Sequence, residues 1–298
     1  MMGLRIAVTG WTGQVVRAML ERVPAGVEVI ALRRPELDLA DHRTIAPALR
    51  SARPDVIVNA AAYTAVDQAE SEPELAMRIN GGAAGEAAHA AAALGIPVIQ
   101  LSTDYVFDGT LGRPYREDDA TGPISAYGAS KLAGEQAVAA ATANHAVLRT
   151  AWIYSPFGKN FVKTMLRLAE TRDEVGVVAD QQGCPTSALD IADAIFAVAR
   201  NLAERPGEVP LRGIFHMAAR GEAAWADVAE AIFAERARLG GKPVAVKRIA
   251  TTDYPTPARR PANSRLDSTK LAATHGVRLP QWQDSLSACV KRLLADQE

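Results

Sequence analysis

Tyr127 and Lys131 stand four residues apart in Tyr127-Gly128-Ala129-Ser130-Lys131, and none of the other tyrosines has a lysine at that spacing. On a helix, positions i and i+4 share a face, so the phenol and the ammonium would lie together. A phenol with a pKa of about 10 exchanges protons poorly at neutral pH, and a neighbouring ammonium lowers that value. Such a tyrosine can hand its proton to a carbonyl oxygen as hydride arrives at the carbon. Upstream, Ser102-Thr103-Asp104-Tyr105 closes the apolar run Val98–Ser102. A hydroxyl at that point can hydrogen-bond a substrate carbonyl and polarise it. Thr103 is the candidate, with Ser102 as its substitute. Asp104 is a candidate for holding a substrate hydroxyl, against the plainer reading of a turn or helix cap. A tyrosine and a lysine on a surface helix is likewise the plain reading of the first pair, so its weight depends on the elements around it.

A glycine turn supplies that context. Thr9-Gly10-Trp11-Thr12-Gly13-Gln14-Val15-Val16 follows a short apolar run and opens a helical segment. Glycines there let the backbone approach a pyrophosphate at a helix N-terminus. Gly10, Thr12, Gly13, Gln14 and Val15 are therefore candidate cofactor contacts. A third glycine would fall at position 16, where the chain has Val16. That glycine ordinarily serves close helix–strand packing, so Val16 is expected to shift the helix slightly and leave the phosphate loop usable. The next apolar run ends in Leu32-Arg33-Arg34, where an acidic residue would hold the ribose hydroxyls of NAD. A guanidinium suits a 2′-phosphate instead, which favours NADPH over NADH, and Arg33 is the candidate. Asp38 and Leu39 are placed to flank the adenine. Small residues after Asn59 leave room over the sheet edge, making Ala61, Ala62 and Tyr63 further cofactor candidates.

These residues need a scaffold, and apolar runs alternate with helical segments along the first half. Strands are expected at Leu4–Thr9, Val27–Leu32, Asp55–Asn59, Val98–Ser102 and Ala146–Arg149. Helices are expected at Gln14–Arg22, Arg43–Ser51, Glu74–Ala93 and Tyr127–Ala141. Strands apolar on both faces, alternating with helices, predict an α/β fold: a Rossmann-type, doubly wound parallel sheet. The candidate residues then fall at carboxyl ends of strands, where open α/β sheets bind ligands. Beyond Arg149 the rhythm loosens. Phe161–Ala169, Ala188–Ala199, Ala223–Arg238 and Asp284–Leu294 read as helices, and the Pro-rich Asp253–Arg265 stretch does not suit a central helix or strand. A smaller C-terminal substrate-binding lobe is expected. The division is residues 1–165 with about 188–218 for the cofactor domain, and about 166–187 with 219–298 for the lobe.

Composition excludes several function classes. The 298 residues carry 33 basic and 34 acidic side chains, a formal net charge of -1, which implies no nucleic-acid surface. No apolar run approaches the roughly 18 residues needed to span a bilayer. The N-terminal apolar run is short and ends in a glycine turn, so no signal peptide is expected. Cys184 and Cys289 form neither a metal-ligand spacing nor a disulfide framework, and a reducing cytoplasm is the expected location.

Longer motifs join these pieces: Gly10–Val15 (GWTGQV), Pro54–Glu72, Ser102–Gly109 (STDYVFDG), Tyr127–Glu135 (YGASKLAGE), Arg149–Tyr154 (RTAWIY), Asp180–Thr186 (DQQGCPT) and Tyr254–Leu266 (YPTPARRPANSRL). With them the chain resembles, over nearly its whole length, the extended short-chain dehydrogenases/reductases and specifically the dTDP-4-dehydrorhamnose reductases. The resemblance implies reduction of the 4-keto group of dTDP-4-dehydro-6-deoxy-L-mannose to dTDP-L-rhamnose, with NADPH or NADH. It implies Tyr127 as proton donor, Lys131 as its partner and nicotinamide-ribose anchor, and Thr103 as the tuning hydroxyl. Asp104 and Trp152 would contact the sugar nucleotide, Trp152 packing against the hexose. Arg259 and Arg260 would lie in the substrate lobe, where a two-arginine loop suits a diphosphate. Val16 departs from the family's glycine pattern. Some members hold a magnesium ion at a dimer contact built from acidic residues. Glu117-Asp118-Asp119 is the densest acidic run in that region and reads as a solvated loop. No metal site is therefore expected, and Mg2+ and a homodimer are left open.

Two alternatives stand beside this reading. One is an NADP-binding regulatory subunit like that of methionine adenosyltransferase, which also resembles these reductases. The other is a different nucleotide-sugar 4-ketoreductase, epimerase or 4,6-dehydratase. The dehydratase needs an Asp-Glu acid/base pair near Thr103, where this chain has Asp104-Tyr105.

Overall fold

The computed structural model describes residues 3–296. The first half contains β1 (Leu4–Thr9), α1 (Gln14–Glu21), β2 (Val27–Leu32), α2 (Ile45–Ala52), β3 (Val56–Asn59), α3 (Val66–Ala69), α4 (Pro73–Met77), a π-helical turn (Arg78–Gly82), α5 (Ala83–Leu94), β4 (Val98–Thr103), α6 (Ala126–Ala141) and β5 (His145–Thr150). Then follow β6 (Ile153–Tyr154), α7 (Phe161–Leu168), β7 (Glu174–Val178), β8 (Gln182–Gly183), β9 (Thr186–Ser187), α8 (Ala188–Glu204) and β10 (Gly213–His216). The chain ends with β11 (Ala223–Ala224), α9 (Trp225–Arg238), β12 (Ala245–Ile249), β13 (Asn263–Ser264), α10 (Thr269–His275) and α11 (Trp282–Ala295).

Six parallel strands form the central sheet in the order β10-β5-β4-β3-β1-β2. This is the doubly wound α/β sheet expected from the alternating runs. Successive side chains on a strand point to opposite faces. Ile6, Val8, Val56, Val58, Ile99 and Leu101 accordingly pack with α1 and α8, while Ala7, Ile57 and Val98 pack with α2, α5 and α6. Every residue of β3 and β4 is buried, so both lack the alternation of a half-exposed strand, and their polar residues, Asn59 and Gln100 among them, are buried as well. Each large aliphatic side chain so covered is worth about 1.5–3 kcal/mol. A second core gathers α7, α9 and α11 around Val162, Val175, Val177, Ile232, Phe233, Leu286 and Val290. There β7 pairs with β12. Smaller ladders, β11-β8-β13 and β6-β9, lie in the same half of the chain.

Three features depart from the sequence expectations. The helix expected over Glu74–Ala93 is interrupted at Arg78–Gly82, where the Ala83 N–H reaches the Arg78 carbonyl to close a wider turn. His42 lies against Gly82, and its ring nitrogen bonds the Arg78 carbonyl at 3.0 Å. The sheet also gains β10, a four-residue edge strand too short for an apolar run to announce. β7 and β12 pair outside the main sheet, and β12 is mostly solvent-facing with Lys247 and Arg248 inside it.

Close helix packing depends on Gly134. A Cβ added there would sit 2.2 Å from the Asn80 carbonyl oxygen, and both contacting groups are backbone. Gly134→Ala is expected to force α6 off the π turn and destabilise the fold by about 2 kcal/mol. A lowered urea midpoint at unchanged slope would report this.

Candidate active site

The glycine turn is built as a backbone cradle. Gly10 has φ +100°, and a Cβ there would press on the Ala61 methyl at 3.1 Å. Gly13 is extended and precedes α1, with no side-chain cap and open space where a Cβ would project. The first N–H groups of α1 therefore keep their donors for a ligand. Helix dipole and free donors together make this an anion site, and the cradle fits a dinucleotide pyrophosphate. Val16 does not disturb it. Its side chain is buried with Val15, Ala18 and Met19 in the core beneath α1, 3.6 Å from where a Gly10 Cβ would be.

Several cofactor candidates offer less than their positions suggested. Val15 is turned into the core, which leaves only its backbone toward the turn. The Gln14 side chain faces away from the turn. Its oxygen accepts from Ser155 Oγ at 2.7 Å and Asn160 Nδ2 at 2.9 Å, fastening α1 to the loop before α7. Leu39 is buried with Ile45 and Leu49, so it supports the pocket wall from behind rather than facing the adenine. Asp38 spends one carboxylate oxygen on the Ala40 N–H. Tyr63 donates its hydroxyl to Glu72 Oε2 at 2.6 Å, leaving its ring and backbone. Thr12 is exposed at the turn. Ala61 lies beside Gly10, and half-buried Ala62 follows it. Arg33 is exposed beside the turn, its guanidinium 4.7 Å from the centre of the Trp11 ring.

Below the turn runs a buried line of polar side chains. Thr9 Oγ1 donates to Asn59 Oδ1 at 2.7 Å and accepts the Ala60 and Ala61 N–H groups at 3.1 Å. Asn59 Nδ2 donates to Gln100 Oε1 at 2.7 Å, and Gln100 Nε2 donates to the Leu101 carbonyl at 2.8 Å. The same carbonyl accepts from Lys131 Nζ at 2.7 Å.

Ser125 caps α6 by accepting the Gly128 N–H, which places Tyr127 in the first turn and Lys131 one turn on. The sequence expectation that the ammonium lowers the phenol is not met by the protein's own groups. Lys131 donates to β4, and crowding by the surrounding protein, helped by the Asp104 charge, raises the Tyr127 pKa well above its usual value. The Thr103 hydroxyl works in the opposite direction. Tyr127 thus keeps its proton at neutral pH and stands as a donor. Burial also pulls Lys131 down to about 8, opposed by Glu135.

Thr103 and Asp104 sit where β4 ends, and both are buried. Thr103 Oγ1 donates to Asp104 Oδ1 at 3.0 Å. Asp104 Oδ2 is buried without a partner among the described residues. Burial pushes this carboxyl up to about 6, against the hydroxyls of Ser264 and Thr103. An acceptor left bare at this depth is an expensive arrangement for a mere turn, and it suits a ligand hydroxyl.

The second half of the chain closes the site. Arg260 Nη2 pairs with Asp67 at 2.9 Å, and Asp67 also accepts the Ala258 N–H, so the Pro-rich segment is tied to α3. Arg259 is exposed beside it. Trp152 has one face covered. Its indole stacks on Trp225, with ring centres 3.6 Å apart, and the Gly183 backbone lies over the ring so closely that a Cβ would fall 2.3 Å from it. The face that Trp225 covers is not open to a hexose, which limits the expected packing on Trp152 to the rest of the ring. Glu117 is not simply a solvated loop residue. It is half-buried and accepts the His216 N–H of β10 at 2.8 Å. Among the described residues no group of three or more His, Cys, Asp or Glu side chains is arranged to hold a metal ion.

Sequence reasoning passed over Asn80, Asp67, Trp225 and the Glu135–Arg149 pair. Asn80 is buried in the π turn, accepting the Tyr63 N–H and donating to Ser130 Oγ at 2.9 Å between Tyr127 and Lys131. No local signal marks a π turn. Glu135 and Arg149 were inside quoted motifs, and the i+4 step from Lys131 to Glu135 was the available clue.

The family model described as RmlD substrate binding domain matches residues 4–295. Over 293 residues the chain is 53% identical to a dTDP-4-dehydrorhamnose reductase from Sinorhizobium fredii, covering 98% of this chain and 99% of that one. The chain belongs to the dTDP-4-dehydrorhamnose reductase family. A solved reductase of this family from Clostridium acetobutylicum superposes with a TM-score of 0.89 at 37% identity, covering 98% of this chain and all (100%) of that one. Another from Bacillus anthracis, in complex with NADP, gives 0.89 at 33% identity with coverage of 98% and 100%.

Asp104 gives this reductase scaffold a pH signature. Its folded pKa of about 6 lies above the ordinary aspartate value of 3.8, so the folded state binds the extra proton between those values. The contribution of Asp104 to stability should therefore fall as pH rises through that window, against the opposite contributions of His216 and His275, which burial pushes down to about 3 and about 4. Asp104→Asn is expected to remove that contribution, gaining about 1–3 kcal/mol over the parent protein at pH 7.5 and little at pH 4. Urea denaturation of both proteins from pH 4 to 8 would read this, and a difference between them that does not grow with pH would contradict it.

Proposed function

We infer that the protein reduces the 4-keto group of dTDP-4-dehydro-6-deoxy-L-mannose to give dTDP-L-rhamnose, with NADPH as reductant. The full-length likeness to dTDP-4-dehydrorhamnose reductases carries this reading. A Tyr127–Thr103–Asp104 group gathered beside a phosphate-type cradle supports the chemistry. The N–H groups at Gly13–Val15 would hold the pyrophosphate, Arg33 the 2′-phosphate and Lys131 the nicotinamide ribose. Bound NADPH supplies hydride to the sugar's C4. Tyr127 gives its phenolic proton to the C4 oxygen, which becomes the new hydroxyl, and solvent later returns a proton to the phenolate. Thr103 hydrogen-bonds the same oxygen and helps carry its developing charge. Asp104 accepts a hydroxyl of the hexose through its unpartnered oxygen. Arg259 and Arg260 attract the diphosphate, for which Arg260 is already oriented by Asp67.

In this reading, residues 1–165 with about 188–218 hold the cofactor, and about 166–187 with 219–298 hold the sugar nucleotide. The placement of α8 and β10 against the main sheet supports that division. Two free, buried cysteines support a cytoplasmic setting. No helix among the described residues is long and apolar enough to cross a membrane.

The test is a coupled assay with the keto sugar made in situ and NADPH oxidation followed by absorbance. Sugar-dependent oxidation with dTDP-L-rhamnose as product is expected. Tight NADPH binding without turnover would instead favour the regulatory-subunit reading, and conversion without net oxidation would favour an epimerase or dehydratase. Tyr127→Phe is expected to lower kcat by about a hundred- to ten-thousand-fold. Arg33→Ala is expected to raise the KM for NADPH about tenfold and to leave that for NADH little changed. Equal effects on the two cofactors would remove Arg33 from the 2′-phosphate site.

A further inference from the structure

Lys131 is an ammonium with almost no access to water, at 4% exposure, and its described partner is the uncharged Leu101 carbonyl. One turn further along α6 lies Glu135, which is 2% exposed. Its carboxylate is gripped from three directions. Oε1 accepts from Ser102 Oγ at 2.5 Å and Arg149 Nε at 2.9 Å, and Oε2 accepts from Arg149 Nη2 at 2.7 Å. Arg149, on β5, is itself buried and packs its guanidinium 5.0 Å from the centre of the Phe107 ring. A bidentate ion pair at this depth contributes little net stability compared with an apolar pair of the same shape. Its geometry therefore asks for another explanation, and its neighbour one helical turn away supplies one.

We propose that Glu135, held by Arg149 and Ser102, is a positioning residue that keeps the Lys131 ammonium charged within the seam between α6 and β4. The proposal rests on the reading of Lys131 as ribose anchor and as the cationic partner of Tyr127. Desolvation penalises the charged form of a buried lysine, and a carboxylate on the same helix face opposes it. The direction agrees with the two causes found for Lys131, burial lowering its pKa and Glu135 raising it. Other titratable groups on the elements packed against α6 are Asp104 and Tyr105 after β4, Asp67 on α3 and Glu70 just after it, Glu74 on α4, Arg78 on the π turn, Glu86 and His89 on α5, and His145 on β5. None of these contributes to the Lys131 shift.

Lys131 titrates at about 8 and Tyr127 far above it, so an alkaline limb near 8 belongs to the lysine. Activity should fall as pH rises through that limb. The experiment uses the full chain, Glu135→Gln, and the double variant Glu135→Gln/Arg149→Met, which leaves no unpaired buried guanidinium. Two readouts are taken from pH 6 to 9: kcat/KM with NADPH and the keto sugar, and NADPH affinity by fluorescence titration. The expected result is a limb moved down by about one unit in both variants, so that about tenfold more activity is lost at pH 8.5 than at pH 6. NADPH affinity should shift in parallel, and the double variant should recover melting temperature without recovering the limb. A folded double variant whose limb stays near 8, with activity lowered equally at every pH, would overturn the proposal and leave the pair a structural role. If the wild-type protein fails to turn over the sugar, the reductase reading fails, and the NADPH affinity profile still decides the role of Glu135.

Discussion

Six strands running the same way bring six carboxyl ends to one edge, and polar groups at that edge must be satisfied without help from a neighbouring strand. Thr9, Asn59 and Gln100 meet this demand by bonding to one another across β1, β3 and β4, in links of 2.7 Å. Hydrogen bonds within a low-dielectric interior strengthen when they form a chain, and an incomplete chain is costly. This one is complete. It begins at the residue before the glycine turn and ends on the carbonyl that receives Lys131. The phosphate cradle and the buried lysine are thus held in one frame by side chains that need touch neither substrate nor cofactor.

Above that frame, several groups titrate well away from where water alone would place them. Asp104 is pushed up to about 6 and Lys131 pulled down to about 8, in each case mainly by burial. His216, beside Arg149, is pushed down to about 3 and is neutral at physiological pH. The surface pairs of this protein, such as Arg248 with Asp227, only favour the charged forms that water already favours, and water and salt screen them. Perturbed groups gathered at one sheet edge are the electrostatic mark of a working site.

The second half of the chain completes the site by reaching back over it. Ser264 of β13 acts on Asp104, Arg260 is tied to Asp67 of α3, and Trp225 presses the Trp152 indole against Gly183. Trp152 has φ +49°, a left-handed conformation that is strained for a bulky residue. Stacking on Trp225 offsets that strain and holds the ring in place.

Much of this was legible in the residues themselves. Apolar runs without alternation marked β1, β3, β4 and β5 because both faces of a parallel sheet are buried. The glycine turn and the Tyr-x-x-x-Lys spacing are local patterns, and a local pattern survives without knowledge of the fold. What the sequence could not express was direction and distance between segments far apart in the chain. Gln14 turns to Ser155, 141 residues on, and Trp152 meets Trp225 from another helix. Whether a phenol gains or loses acidity depends on how deeply neighbouring segments crowd it, and that is decided when they pack. Residue types and their spacing determined which chemistry was available to this chain. Packing of the two halves decided which faces stay open, which charges lose water, and so which of those residues remain free to act.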